Sequence, residues 1–151
     1  MKVDAYSHIL PAPYFERMSE LAVDRAALKR WLELPTLHDV DARLRMMDEF
    51  GDDYQQVLTL SSPPIDLLAG PAESAALARL ANESMRELCD KHPDRFPAFV
   101  ASLPMNDPDA ALVELASAID DLGARGVQVF TNVSGRPLDE PAFLAVFDEM
   151  A

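Results

Sequence analysis

The sequence predicts an α/β protein of consecutive parallel βα units, and three observations lead there. Four short apolar runs begin near residues 3, 54, 96 and 126, and each is followed by residues at helical spacing. Each run ends in a polar or proline-containing break: Pro11, Ser61-Ser62-Pro63-Pro64, Pro104, and Asn132 to Gly135. No low-complexity segment or long linker divides the units, so residues 1–151 are expected to form one domain. Right-handed connections between such units generate a parallel sheet covered by helices.

The first run, Val3 to Pro11, reads as a strand with Asp4, Tyr6 and His8 on one face and Val3, Ala5 and Ser7 on the other. A strand-end histidine with an ordinary hydrogen bond explains His8 alone equally well. A helical insertion follows. Its first segment, Pro13 to Leu21, aligns Tyr14, Met18 and Leu21; its second, Ala26 to Leu32, aligns Leu28, Trp31 and Leu32, with Trp31 as a buried anchor. Beyond Pro35, Thr36 or Asp39 can cap a helix running to about Phe50, with Val40, Leu44, Met47 and Phe50 on one face and Gly51 closing it. Tyr54 to Leu60 is the second strand, and its exit, Ser61 to Pro64, is either a binding loop or a plain connection. The longest helix, Pro71 to about His92, carries Leu77, Leu80, Ala81, Met85 and Leu88 as its apolar stripe.

Phe96 to Leu103 is the third strand. Asn106-Asp107-Pro108 opens a helix with Ala111, Leu112, Leu115, Ala116, Ile119 and Leu122 apolar, and Gly123 stops it. Gly126 to Thr131 is the fourth strand, Asn132 to Gly135 its exit loop. A last helix starts near Glu140-Pro141 and carries Phe143, Leu144, Val146 and Phe147.

Composition removes several functions. With 26 acidic against 13 basic residues, a net charge of -13, the chain is a poor partner for nucleic acid or an anionic membrane surface. No run approaches the ~20 apolar residues of a membrane span, and the first residues do not read as a basic segment followed by an apolar run, so no secretion signal is expected. The single cysteine, Cys89, falls within a helix and excludes an internal disulfide, which suits a reducing cytoplasm. Neither GxGxxG nor GxxxxGK[ST] follows the first strand, and no GxSxG elbow supports a serine nucleophile. A small-molecule ligand is the expected partner.

The order of several short motifs resembles the amidohydrolase-related group that contains aminocarboxymuconate-semialdehyde decarboxylase and the metal-dependent aromatic-acid decarboxylases. They are Met1-Lys2-Val3-Asp4-Ala5-Tyr6-Ser7-His8-Ile9-Leu10-Pro11, Leu80-Ala81-Asn82-Glu83, His92-Pro93-Asp94-Arg95-Phe96, Ser102-Leu103-Pro104-Met105, Gly123 with Gly126-Val127-Gln128, and Leu138-Asp139 before Pro141-Ala142-Phe143. The resemblance implies a (β/α)₈ barrel with its site at the carboxyl ends of the strands. Such a barrel needs ~250 residues. The chain is therefore expected to be its first half, about four βα units with a helical insertion after the first strand, and a truncated polypeptide. The resemblance also implies a divalent metal, commonly zinc, held by a His-x-His pair on the first strand and by later ligands, and a hydrolase or decarboxylase acting on a small carboxylate or carbonyl compound.

Tyr6 stands where the first histidine of that pair is expected, which leaves His8 as the metal ligand of the first strand. A phenol titrates near ~10 and is a weaker anionic donor at neutral pH, so Tyr6 is read as facing substrate, with metal ligation as the lesser alternative. Asn132 and Ser61 are the other expected substrate contacts. Asp4 is expected to orient His8 from behind. One histidine does not complete a catalytic zinc site, and the later ligands of the family have no counterpart in this sequence. By itself this chain is therefore expected to be inactive. Two further readings stay open: a metal-free binding module derived from the barrel, and an open α/β half-barrel that covers its sheet edges by homodimerisation.

Overall fold

The computed structural model describes residues 1–21, 29 and 31–151. Most of the expected second insertion segment, Leu28 included, lies outside the described residues, whereas Trp31 packs half-buried against the main core.

Strand β1 (Lys2–Ile9) lies parallel to β2 (Tyr54–Leu60), and β2 lies parallel to β3 (Ala98–Phe99). At Val100 the third strand changes partner. Its second piece, β4 (Ala101–Ser102), pairs in parallel with β5 (Val127–Gln128). Val100 N–H still donates to Leu58 O at 2.8 Å, and Ala101 N–H already donates to Gly126 O at 2.9 Å. The run Phe96 to Leu103 thus links two ladders, and the parallel order β1, β2, β3/β4, β5 follows the sequence. The expected exit loop after the fourth strand contains a small antiparallel hairpin, β6 (Asn132–Val133) with β7 (Arg136–Pro137). Ser134 and Gly135 at its tip take φ of 50° and 83°, a region that disfavours most side chains.

Most helices follow their sequence signals, but the one expected to run to about Phe50 is two, and Ile65–Leu68 adds a short helix that was not expected. The helices are α1 (Ala12–Leu21), α2 (Pro35–His38), α3 (Val40–Asp48), α4 (Ile65–Leu68), α5 (Pro71–Lys91), α6 (Pro108–Ala116) and α7 (Pro141–Glu149). The Asp39 carboxylate caps α3 by accepting from Ala42 N–H at 3.0 Å, and Asp107 caps α6 by accepting from Ala110 N–H at 3.1 Å. The end of α6 widens into a π-helical turn, Ser117–Asp121, before Gly123 reverses the chain at φ 70°. One face was misassigned from periodicity: Phe50 is 52% exposed, and Arg43 points inward instead. Among the described residues, no helix is long and apolar enough to cross a membrane.

Two apolar clusters hold the fold together. The larger joins Ile9, Leu10, Leu58, Leu60 and Phe99 of the sheet to Tyr14 and Met18 of α1, Met47 of α3, and Leu77, Ala81 and Met85 of α5. The smaller contains Leu103, Met105, Leu115, Val133, Phe143 and Val146 beneath α6 and α7.

Candidate functional site

The carboxyl end of β1 carries the first group of candidate residues. Six register pairs bind β1 to β2, but the register slips between Asp4 and Ser7, where β1 spends one more residue than β2. This bulge breaks the simple alternation expected from the sequence. Asp4 and Ser7 come together: the Ser7 hydroxyl donates to Asp4 Oδ2 at 2.5 Å, and Tyr6 N–H donates to Asp4 Oδ1 at 3.2 Å. The Ser7 bond, above all, holds the Asp4 carboxyl below the usual range, against a partial desolvation. Asp4 is therefore engaged with Ser7 and does not support His8 as expected.

Tyr6 and His8 do share a face. Their rings meet edge to face with centroids 4.8 Å apart, and Tyr6 is 57% exposed. His8 is fixed from two sides. Its Nδ1 lies 2.9 Å from the hydroxyl of buried Thr59 on β2, and its backbone carbonyl accepts from the Arg43 guanidinium. Arg43 is 4% exposed and also donates to Thr36 O at 2.9 Å and Gln56 Oε1 at 2.7 Å. Burial pushes its guanidinium down to about 10, still cationic at neutral pH. A buried cation held by three neutral acceptors ties α2, α3, β1 and β2 together directly under His8. Sequence reading passed over Arg43 because a lone arginine in a helix looks like a solvated side chain; its place between Val40, Leu44 and Met47 was the available signal.

A second group lies at the ends of β2, β4 and β5, around a hollow of about 20 Å³ lined in part by Leu60, Asp66, Ser102, Gln128 and Asn132. Ser102 is set by Asn82 of α5, which accepts from Ser102 N–H at 2.9 Å and donates to Ser102 O at 3.0 Å. Asn82 also donates to Glu114 at 2.8 Å, and Glu114 takes a second bond from Arg79 at 2.8 Å. Asn132 is exposed, and its side-chain oxygen accepts from Gly135 N–H at 2.8 Å, so much of its capacity goes into the hairpin turn. Ser134 clasps the same hairpin to α4 through Asp66, with its N–H donating at 2.7 Å and its hydroxyl at 2.9 Å. Ser61 is buried, and its N–H donates to Ile9 O at 2.9 Å, extending the β1–β2 ladder. Of the expected site residues, Tyr6 and His8 stand on one side with Thr59, and Asn132 on the other with Ser102 and Gln128, while Ser61 serves the β1–β2 ladder and Asp4 its bond to Ser7.

His38 stacks on Phe15 at 4.7 Å, and His92 meets the edge of Phe96 at 6.0 Å, so both act in packing. Among the described residues no three His, Cys, Asp or Glu side chains come close enough to hold a metal. With Nδ1 committed to Thr59, His8 has Nε2 left as a donor. That is one ligand, and a catalytic site needs three or four, so the residues of this chain do not by themselves fit a metal.

Comparison with known proteins agrees with this architecture. The family model described as amidohydrolase matches residues 3–151. The gamma-resorcylate decarboxylase of Rhizobium sp. (strain MTP-10005) is 42% identical over 101 residues, covering 66% of this chain and 30% of that protein. The 2-amino-3-carboxymuconate-6-semialdehyde decarboxylase of Dictyostelium discoideum is 31% identical over 113 residues, covering 74% of this chain and 30% of that protein. Among solved structures, a dihydroxybenzoic acid decarboxylase from Polaromonas sp. JS666, with bound manganese and the inhibitor 2-nitroresorcinol, superposes with a TM-score of 0.74 at 29% identity. It covers 97% of this chain and 45% of that one, so the chain spans less than half the length of these relatives. Parallel βα units in sequential order, a histidine at the carboxyl end of the first strand and a family match over nearly all residues place this chain in the amidohydrolase family, with the fold of a partial (β/α)₈ barrel.

Proposed function

We propose that the protein carrying this chain is a metal-dependent decarboxylase of a small hydroxylated aromatic acid, and that this chain supplies the first half of its barrel. The observation that carries the reading is His8, clamped by Thr59 and Arg43 at the carboxyl end of the first strand, in a chain whose relatives include gamma-resorcylate decarboxylase. In this reading His8 Nε2 is one ligand of a divalent cation whose other ligands lie on strands outside this chain. The resemblance suggested zinc; the manganese of the Polaromonas structure makes manganese an equal candidate. Tyr6 lines the mouth beside His8, where its exposed ring can pack against an aromatic substrate. The reaction breaks the bond between ring carbon and carboxylate, releases CO₂ and returns a proton to the ring. Hydrolysis fits the same fold but has less support among the relatives.

The test is CO₂ release from 2,6-dihydroxybenzoate (γ-resorcylate) by the protein carrying this chain, loaded with manganese or with zinc, beside a His8→Ala variant. Stoichiometric metal and turnover, both lost in the variant, are the expected results. Protein that takes up neither metal and releases no CO₂ would instead support a metal-free binding module, the reading that Tyr6 in place of a histidine favours.

A further inference from the structure

Among the described residues, Gln128 is the one side chain that combines deep burial, a place at the strand ends and an unanswered hydrogen-bonding atom at the hollow. It is 8% exposed on β5, yet its amide Nε2 reaches Leu60 O on β2 at 3.2 Å, so the side chain crosses the inner face of the sheet past β4. Leu60 O can only accept. The nitrogen of the amide must therefore face it, and this fixes which end of the carboxamide is left over: Oε1, a pure acceptor. Gln128 Oε1 is buried and has no hydrogen-bond partner. A buried carbonyl without a donor is unfavourable, so the fold gains when a donor arrives.

Leu60 and Gln128 both line the hollow of about 20 Å³, together with Ser102 and Asn132. That volume is larger than the ~15 Å³ that admits one water-sized group and far too small for an aromatic ring. What fits is a single hydroxyl projecting from a ring held outside. At the same hollow the Ser102 backbone is engaged by Asn82, the Asn132 oxygen by Gly135 and the Asp66 carboxylate by Ser134, whereas Gln128 Oε1 is buried with no donor.

Resting on the decarboxylase reading above, we infer that Gln128 is a specificity residue whose Oε1 accepts a hydrogen bond from a ring hydroxyl of the substrate. The carbonyl of Leu60 sets the amide in advance, so the acceptor pays no reorientation when the hydroxyl enters. An acid lacking that hydroxyl leaves Oε1 unpaired, and selectivity arises from this difference.

The experiment uses the protein carrying this chain, with its glutamine side chains ¹³C-labelled, and the probes resorcinol, 2,6-dihydroxybenzoate and benzoate. The Gln128 carboxamide carbon is expected to shift with the two hydroxylated probes and to stay in place with benzoate. In Gln128→Met, which keeps the length of the side chain, the preference for 2,6-dihydroxybenzoate over benzoate should fall about tenfold with benzoate affinity unchanged. A Gln128 carbon that no hydroxylated probe moves overturns the inference. So does an unchanged preference in Gln128→Met, even where CO₂ is still released and the decarboxylase reading survives. Resorcinol that shifts Gln128 in a protein that releases no CO₂ has the opposite meaning, sinking the decarboxylase reading and leaving the hydroxyl subsite.

Discussion

The two halves of this chain are built differently. Around β1, β2 and β3 the β1–β2 ladder is long, the large cluster is continuous from α1 to α5, and the polar groups at the strand ends answer one another, Arg43 with Gln56 and His8, Thr59 with His8, Asp4 with Ser7, while Tyr14 Oη and His38 Nε2 stay unpaired among the helices. Around β4 and β5 each strand has two paired residues, the cluster is small, Gln128 has an unanswered oxygen, and a groove of about 450 Å³ opens between the end of α6, β5 and the end of α7. The contrast teaches a division of labour. The first half fixes the position of a histidine with a preassembled framework, while the second leaves Gln128 Oε1 unpaired beside a hollow and a groove open at its edge.

Five measurements would break or sharpen this contrast, and the largest effect is expected in the main core. Phe99→Ala removes a fully buried ring from the larger cluster and should destabilise by about 3–5 kcal/mol in denaturant unfolding. An effect below that of a surface substitution would mean that the first half is not the rigid one. Arg43→Met is next, at about 2–4 kcal/mol, because three acceptors, Gln56 Oε1 buried among them, lose a cationic donor at once. His8 should feel it too: its ring resonances should broaden as the strand end loosens, and sharp, unmoved signals would deny Arg43 that role.

Asn82→Ala tests the joint between the halves. It leaves Ser102 N–H without a partner and Glu114 held by Arg79 alone, and should cost about 1–3 kcal/mol by the same unfolding assay, with faster amide exchange at Ser102. Cys89 gives a pH signature for the first half. Burial pushes its thiol up to about 11, so its contribution to stability is complete below the ordinary thiol value near ~8.5 and is lost as the pH rises through about 11. A Cys89→Ala variant should flatten the alkaline limb of the stability profile; identical limbs would place the thiol in solvent. The smallest effect belongs to the open groove, where Ile119→Ser should change the stability of this chain by no more than about 0.5 kcal/mol. A larger loss would show the groove to be filled.

Much of the fold was legible because local rules govern it. Tyr54 to Leu60 as a strand, Pro71 to Lys91 as a helix, the caps at Asp39 and Asp107 and the stop at Gly123 all follow from apolar period, capping chemistry and glycine, which act within a few residues. The site was legible in part. His8 and its neighbour Tyr6 stood out from strand alternation, but Asp4 was placed with them because a sequence does not display a bulge. Asn132 lies at the hollow by the strand ends, and its oxygen serves a turn that only the hairpin creates.

By itself the sequence determined the series of βα units, the acidic character of the chain and the presence of one histidine at the first strand's end, since each depends on the order and type of neighbouring residues. Only the tertiary structure decided who touches that histidine and what is left unpaired. Thr59 is 51 residues from His8, Arg43 is 35 away, and Gln128 meets Leu60 across 68. Contacts over such separations depend on how the sheet brings distant strands together, and no local pattern encodes them.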